Sequence, residues 1–124
     1  MSNEVYHMDC MDFMQSIPDK YFDLAIVDPP YGIQRSRIGY RKLWKYYKPK
    51  DWDDAPPDKK YFDELFRISK NQVIFGGNYF APYLSPSMGW IVWDKGQKLT
   101  MSDGELAYTS FHKALRIVTV HRTK

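Results

Sequence analysis

One stretch constrains this chain more than any other: the apolar run Leu24-Ala25-Ile26-Val27, entered from Asp23 and ended by Asp28-Pro29-Pro30-Tyr31-Gly32. A continuous apolar run without polar alternation predicts a strand covered on both faces, as in a parallel sheet. Two consecutive prolines fix φ and offer no N–H to a ladder, so the strand must stop there. Upstream, Val5-Tyr6-His7-Met8 is a short β-prone segment. A helix is expected over residues 11–17, with Asp9 at its N-cap and Pro18 as its stop. Downstream, Asp58 is expected to cap a helix whose Tyr61, Leu65 and Ile68 share a face, with Phe62 and Phe66 beside it. Gln72-Val73-Ile74-Phe75, closed by Gly76-Gly77, reads as a second buried strand, residues 78–84 as a short helix, and residues 89–93 as a third strand. Residues 105–111 and 115–121 are expected to be two strands joined by a tight turn. The fold class is then α/β, with a sheet that is parallel at first and carries an antiparallel hairpin at one edge. At 124 residues, 44% of them apolar, the chain is expected to be a single domain over residues 1–124 with a core of its own.

Several chemistries are excluded early. Cys10 is the only cysteine, which rules out a disulfide framework and a Cys-rich zinc cluster; it reads as a small buried residue. His7, His112 and His121 have no metal-ligand spacing with acids, and no P-loop or nucleophile elbow is present. No apolar run approaches the ~20 residues of a membrane span. Met1-Ser2-Asn3-Glu4 lacks a basic-then-apolar signal pattern, so a soluble, cytoplasmic protein is expected.

The net charge of +3 hides an uneven distribution. Residues 35–50 hold seven basic side chains, no acidic ones and four aromatics, Tyr40, Trp44, Tyr46 and Tyr47, while the remainder carries 11 basic against 15 acidic. Cations neutralise phosphates and rings stack on unpaired bases, so this pattern fits a polyanion; it equally fits a solvated surface loop. It lies within residues 33–57, a long stretch without periodicity that ends in Pro56-Pro57, and loops of that length within a compact domain are usually functional or mobile.

Asp28-Pro29-Pro30-Tyr31 follows a strand, where open α/β sheets bind ligands. Its rigid backbone presents a carboxylate, the Pro29 carbonyl and an aromatic ring together. An exocyclic aromatic amine is a poor nucleophile because its lone pair is delocalised into the ring. Two acceptors on its N–H bonds aim the lone pair and stabilise the charge that develops during attack. The plain alternative is a turn in which Asp28 caps a backbone group.

These residues carry a resemblance. Met8-Asp9-Cys10, the stretch from Ile17-Pro18-Asp19 through Asp28-Pro29-Pro30-Tyr31-Gly32, Trp52-Asp53, Phe62-Asp63-Glu64-Leu65-Phe66-Arg67, Gly76-Gly77-Asn78-Tyr79-Phe80, Trp90-Ile91-Val92-Trp93-Asp94-Lys95 and Glu105-Leu106-Ala107-Tyr108-Thr109-Ser110-Phe111 are similar, in this order, to segments of bacterial and phage DNA adenine-N6 methyltransferases. The resemblance implies a Rossmann-like, S-adenosylmethionine-dependent sheet acting on an adenine flipped out of DNA. Asp28 and the Pro29 carbonyl would accept from the N6 amine, Pro30 would stiffen the turn and Tyr31 would stack on the base. The methyl group would pass in line from the sulfonium, with no covalent enzyme intermediate. Asp9 resembles the acidic residue that contacts the cofactor's adenine, with Cys10 beside it; an N-cap role fits Asp9 as well. Tyr108 and Phe111 are candidates for a second wall against the base, or ordinary core. Arg35, Arg37, Arg41, Lys42, Trp44, Lys45 and Lys48 are the candidate DNA contacts.

The family's glycine-rich cofactor turn, roughly Asp-x-Phe-x-Gly-x-Gly, is not found: Gly76-Gly77 runs into Asn78-Tyr79-Phe80. Nor is its His-Pro-Thr-Gln-Lys-Pro-like segment. Circularly permuted members place the base half before the cofactor half. The expectation is therefore a partial domain carrying the base side, lacking the cofactor-binding half and binding S-adenosylmethionine weakly or not at all alone. A catalytically silent homologue that binds nucleic acid or a partner, and an RNA-directed amino methyltransferase, are the other readings. The edge of the Asp28 strand would be left exposed, inviting a second copy or a complementary chain.

Overall fold

The structure, a computed structural model, describes residues 3–32, 57–98 and 102–121. The basic candidates Arg35, Arg37, Arg41, Lys42, Trp44, Lys45 and Lys48, and the Trp52-Asp53 pair, lie outside the described residues.

Local signals place most elements where the sequence points. Asp9 accepts from the Met11 N–H at 2.8 Å and caps α1, Cys10–Gln15, which ends at Ser16 ahead of Pro18. β1, Phe22–Val27, runs directly into Asp28. Asp58 accepts from the Tyr61 N–H and caps α2, Lys59–Ile68, whose buried face is Phe62, Leu65 and Ile68. α2 passes straight into β2, Ser69–Phe75. Residues 78–84 do not form one helix; two short 3-10 turns, Gly77–Tyr79 and Ala81–Tyr83, occupy this region. The strand-prone residues 5–8 form no strand, and Val5 is almost fully exposed. β3 spans Ile91–Asp94, β4 Gly104–Thr109 and β5 Arg116–Thr119.

The sheet order is β1-β2-β4-β3-β5. β1 and β2 are parallel, β4 is antiparallel to both β2 and β3, and β5 is parallel to β3. This corrects the expected antiparallel edge hairpin: β4 and β5 are not neighbours, and the antiparallel strand is central. Burial explains the placement. Ala107, Tyr108 and Thr109 of β4 are buried, so this strand needs neighbours on both sides, whereas β5 is exposed throughout and tolerates an edge. The apolar run in β1 is likewise not covered on both faces: β1 is the other edge strand, with Leu24 44% and Ile26 63% exposed.

Met14, Phe62, Leu65, Ile68, Ile74, Phe80 and Tyr108 form the core that joins the helices to the sheet. Arg67 clamps α2 to the end of α1. Its guanidinium donates to the Met14 and Ile17 carbonyls and to Asp19, each at 2.8 Å, and also pairs with Glu64. The Met14 carbonyl at the end of α1 and the Ile17 carbonyl just beyond it thus gain charged donors. Among the described residues, no helix is long and apolar enough to cross a membrane.

Candidate active site

β1 delivers Asp28 to the carboxyl end of the parallel pair, with Pro29 buried and Pro30 and Tyr31 half-buried behind it. The Tyr31 hydroxyl donates to the Asp28 carboxylate at 2.8 Å. Its ring stacks on Tyr79 with centroids 4.8 Å apart and planes 15° from parallel, and leans against Phe80 at 6.1 Å. Gly76 makes this packing possible. It turns the chain after β2 with φ +71°, and a Cβ there would lie 2.2 Å from Tyr31 Cε1. Only glycine meets both demands. Gly76-Gly77-Asn78-Tyr79-Phe80, unassigned from sequence, is therefore the cradle of Tyr31.

Three cavities adjoin this turn. One of about 520 Å³ is lined by Asp9, Cys10, Asp28, Pro29, Pro30 and Tyr61. A second, of about 340 Å³, is lined by Asp28, Tyr31, Phe75, Gly76, Trp93 and Glu105 among others. Tyr31, Gly76 and Glu105 also border a third, of about 240 Å³, with Asn78, Tyr79 and Lys95. Asp28 is thus shared by the cavity that holds Asp9 and Cys10 and the one walled by aromatic rings. A flat aromatic amine in the second would have a carboxylate acceptor at one end and ring faces beside it.

The other candidates separate. Asp9 and Cys10 meet Asp28 at one cavity, but the Asp9 carboxylate also serves as the α1 N-cap through one oxygen. Cys10 is exposed, not buried as expected, because the first residue of α1 lies at that cavity. Tyr108 is buried and packs edge-on against Trp90 at 5.5 Å, so it is core and lines none of the three cavities. Phe111 lies beyond the end of β4 and lines none of them either. Trp93, Glu105 and Lys95 are the side chains that sequence reading passed over. The signal available for Trp93 and Lys95 was the segment Trp90-Ile91-Val92-Trp93-Asp94-Lys95, which resembled the family without suggesting a role, and for Glu105 it was the segment that it opens, in which only Tyr108 and Phe111 were singled out. Among the described residues there is no cluster able to hold a metal ion.

Two phenols hold their protons tightly. Burial first, then the hydrogen bond and charge of Asp28, push Tyr31 well above the ordinary tyrosine value. Burial, with a smaller contribution from Cys10, pushes Tyr61 up to about 12 from 10.0. Because the folded state binds these protons more strongly, their stabilising contribution is complete below pH 10 and is lost as pH rises, through about 12 for Tyr61 and higher still for Tyr31. In an alkaline titration followed by tyrosinate absorbance, these two groups should ionise last and together with loss of secondary structure. Ionisation of every tyrosine near pH 10 in the folded protein would contradict the burial seen here.

No family model matches the chain. It is 29% identical over 99 residues to the type II methyltransferase M1.MboII of Moraxella bovis, covering 75% of this chain and 37% of that protein. It is 37% identical over 46 residues to the type II methyltransferase M.BglII of Bacillus subtilis, covering 37% of this chain and 13% of the relative. It is also 29% identical over 137 residues to the Bos taurus tRNA (guanine(10)-N(2))-methyltransferase TRMT11, covering 98% of this chain and 29% of that protein. The chain is similar to methyltransferases. It spans little more than a third, or less, of the length of these relatives. The mixed parallel and antiparallel sheet is compatible with part of an α/β methyltransferase fold.

Proposed function

We propose that the chain is the base-side part of an S-adenosylmethionine-dependent DNA methyltransferase that modifies the N6 amine of a flipped adenine. The observation that carries this reading is Asp28, held at a strand end by two prolines and shared between an aromatic-walled cavity and the cavity of Asp9 and Cys10. The substrate amine would replace the Tyr31 hydroxyl as the donor on Asp28, with the Pro29 carbonyl as the second acceptor. The larger cavity, with Asp9, Cys10, Pro30 and Tyr61, suits the adenine end of the cofactor, whose sulfonium supplies the methyl group. Two relatives are type II methyltransferases, which supports DNA as the substrate, with Arg35, Arg37, Arg41, Lys42, Trp44, Lys45 and Lys48 as its contacts. The third relative, whose name specifies N2 of a tRNA guanine, keeps an RNA-directed amino methyltransferase as the second reading. A second copy or a complementary chain pairing along β1 would complete the sheet edge.

The test is the destination of a labelled methyl group. The protein is incubated with radiolabelled S-adenosylmethionine and either unmethylated DNA or tRNA, and the product is digested to nucleosides. Label in N6-methyladenine from DNA is expected, from this chain or with a complementary chain. Label in N4-methylcytosine, or only in RNA, would overturn the adenine-N6 assignment.

A further inference from the structure

We infer that Trp93 is the wall on which the target base stacks, an inference that rests on the reading of the Asp28 cavity as a base site. Trp93 lines the cavity that contains Asp28. Two interactions hold its indole, and a carboxylate lies on the strand beside it. The indole N–H donates to the Val120 carbonyl at 2.7 Å, beyond the end of β5. Across the β3–β4 ladder its register partner is Glu105, which lines the same cavity. The Lys95 ammonium lies over the ring, 5.2 Å from its centroid and 3.8 Å from the Glu105 carboxylate.

Lys95 gives this arrangement its weight. It is only 3% exposed, and an ammonium is costly to bury without compensation. The Glu105 carboxylate and the electron-rich indole face are compensating partners. Lys95 lines the adjoining 240 Å³ cavity and is not among the residues lining the one with Asp28. A ring fixed in this way loses little freedom when a ligand arrives, and preorganisation of that kind favours binding.

The other rings fit the part less well. Tyr31 is already stacked on Tyr79 and hydrogen-bonded to Asp28, and Tyr108 is in the core. Phe75 shares the cavity but has no polar handle with which to fix its ring. The ligand class follows from the combination of an indole face and a carboxylate acceptor: a nucleobase carrying an exocyclic amine, of which adenine is the one in the proposed function.

The 124-residue chain, isotopically labelled, would be titrated with adenosine, with inosine as the control because a carbonyl replaces its amine. The Trp93 indole resonance should shift saturably with adenosine. Trp93→Ala should weaken adenosine binding on the order of ten- to a hundredfold, the scale of losing one stacked ring, while Trp93→Phe retains most of it. If Trp93→Ala does not fold, Trp93→Leu keeps the bulk without the aromatic face and should show the same loss. Adenosine binding that is selective over inosine and lost in Asp28→Asn, yet unchanged by Trp93→Ala or Trp93→Leu, would overturn the wall and leave the base site standing. A loss with Phe75→Ala alone would move the wall to Phe75 and also overturn it. No saturable binding, or no preference for adenosine over inosine, would remove the base-site reading and the wall with it.

Discussion

Asp28→Ala is expected to cut methyl transfer by the proposed enzyme, assayed with any complementary chain that it needs, by about two to three orders of magnitude, the scale observed when one preorganised electrostatic group is removed from a reaction centre. In the proposed reaction the amine nitrogen would gain positive charge as it attacks, and a carboxylate already in place would stabilise that charge without reorganising. Alanine leaves only the Pro29 carbonyl as an acceptor and no negative charge. Folding should hardly change, because Asp28 is exposed at a strand end and such substitutions usually stay within about 0.5 kcal/mol. A second readout needs no turnover. The hydrogen bond and charge of Asp28 help to hold the proton on Tyr31, so Tyr31 should ionise at lower pH in the variant, though still late because its burial persists. Transfer retained to within tenfold would show that Asp28 is not the acceptor. An unchanged Tyr31 titration would show that the Asp28–Tyr31 bond does not persist in solution.

Phe62→Ala should destabilise the fold by about 3–5 kcal/mol, the usual cost of emptying a buried phenylalanine site. Phe62 is 1% exposed. Its ring packs edge-on against Tyr61 at 5.0 Å, meets Phe80 at 5.1 Å and stacks on Tyr83 at 5.5 Å. It thereby joins α2 to the two 3-10 turns that carry Tyr79 under Tyr31. Against a typical total of about 5–15 kcal/mol, that loss would take up much of the stability of so short a chain. Urea unfolding followed by circular dichroism would measure it as a lower midpoint at similar slope. The Tyr31–Tyr79 stack should loosen at the same time, so the late tyrosine ionisation should be partly lost below the unfolding transition. A shift worth less than about 1 kcal/mol, well under the range for such truncations, would mean that the ring is not at the centre of the core.

How far the sequence could be read depended on the range of each signal. Asp9, Asp58 and Pro18 act on backbone groups within a few residues of themselves, so α1 and α2 could be located from sequence. The prolines after Val27 end β1 by their own covalent geometry, so the position of Asp28 at a strand end could be located too. Strand order could not be. Residues 104–109 and 116–119 are both strand-forming, and nothing local distinguishes a central strand from an edge. That choice depended on which residues the helices and the 3-10 turns cover, and in β4 the cover falls on Tyr108. The burial of β1 was misread for the same reason: an apolar run records what a strand can bury, not what lies against it.

The site divides along the same line. The sequence by itself determined the rigid turn Asp28-Pro29-Pro30-Tyr31 and its chemistry, because a carboxylate, a carbonyl and a ring on a proline-locked backbone need no distant partner to be presented together. Only the tertiary structure decided what surrounds them. Gly76 admits the Tyr31 ring although 45 positions separate the two residues. Trp93 meets Glu105 through strand register, Lys95 is buried between them, and Tyr108 is withdrawn into the core. Apart from the Lys95–Trp93 pair, which is local, these contacts join residues separated along the chain, and only packing brings such residues together.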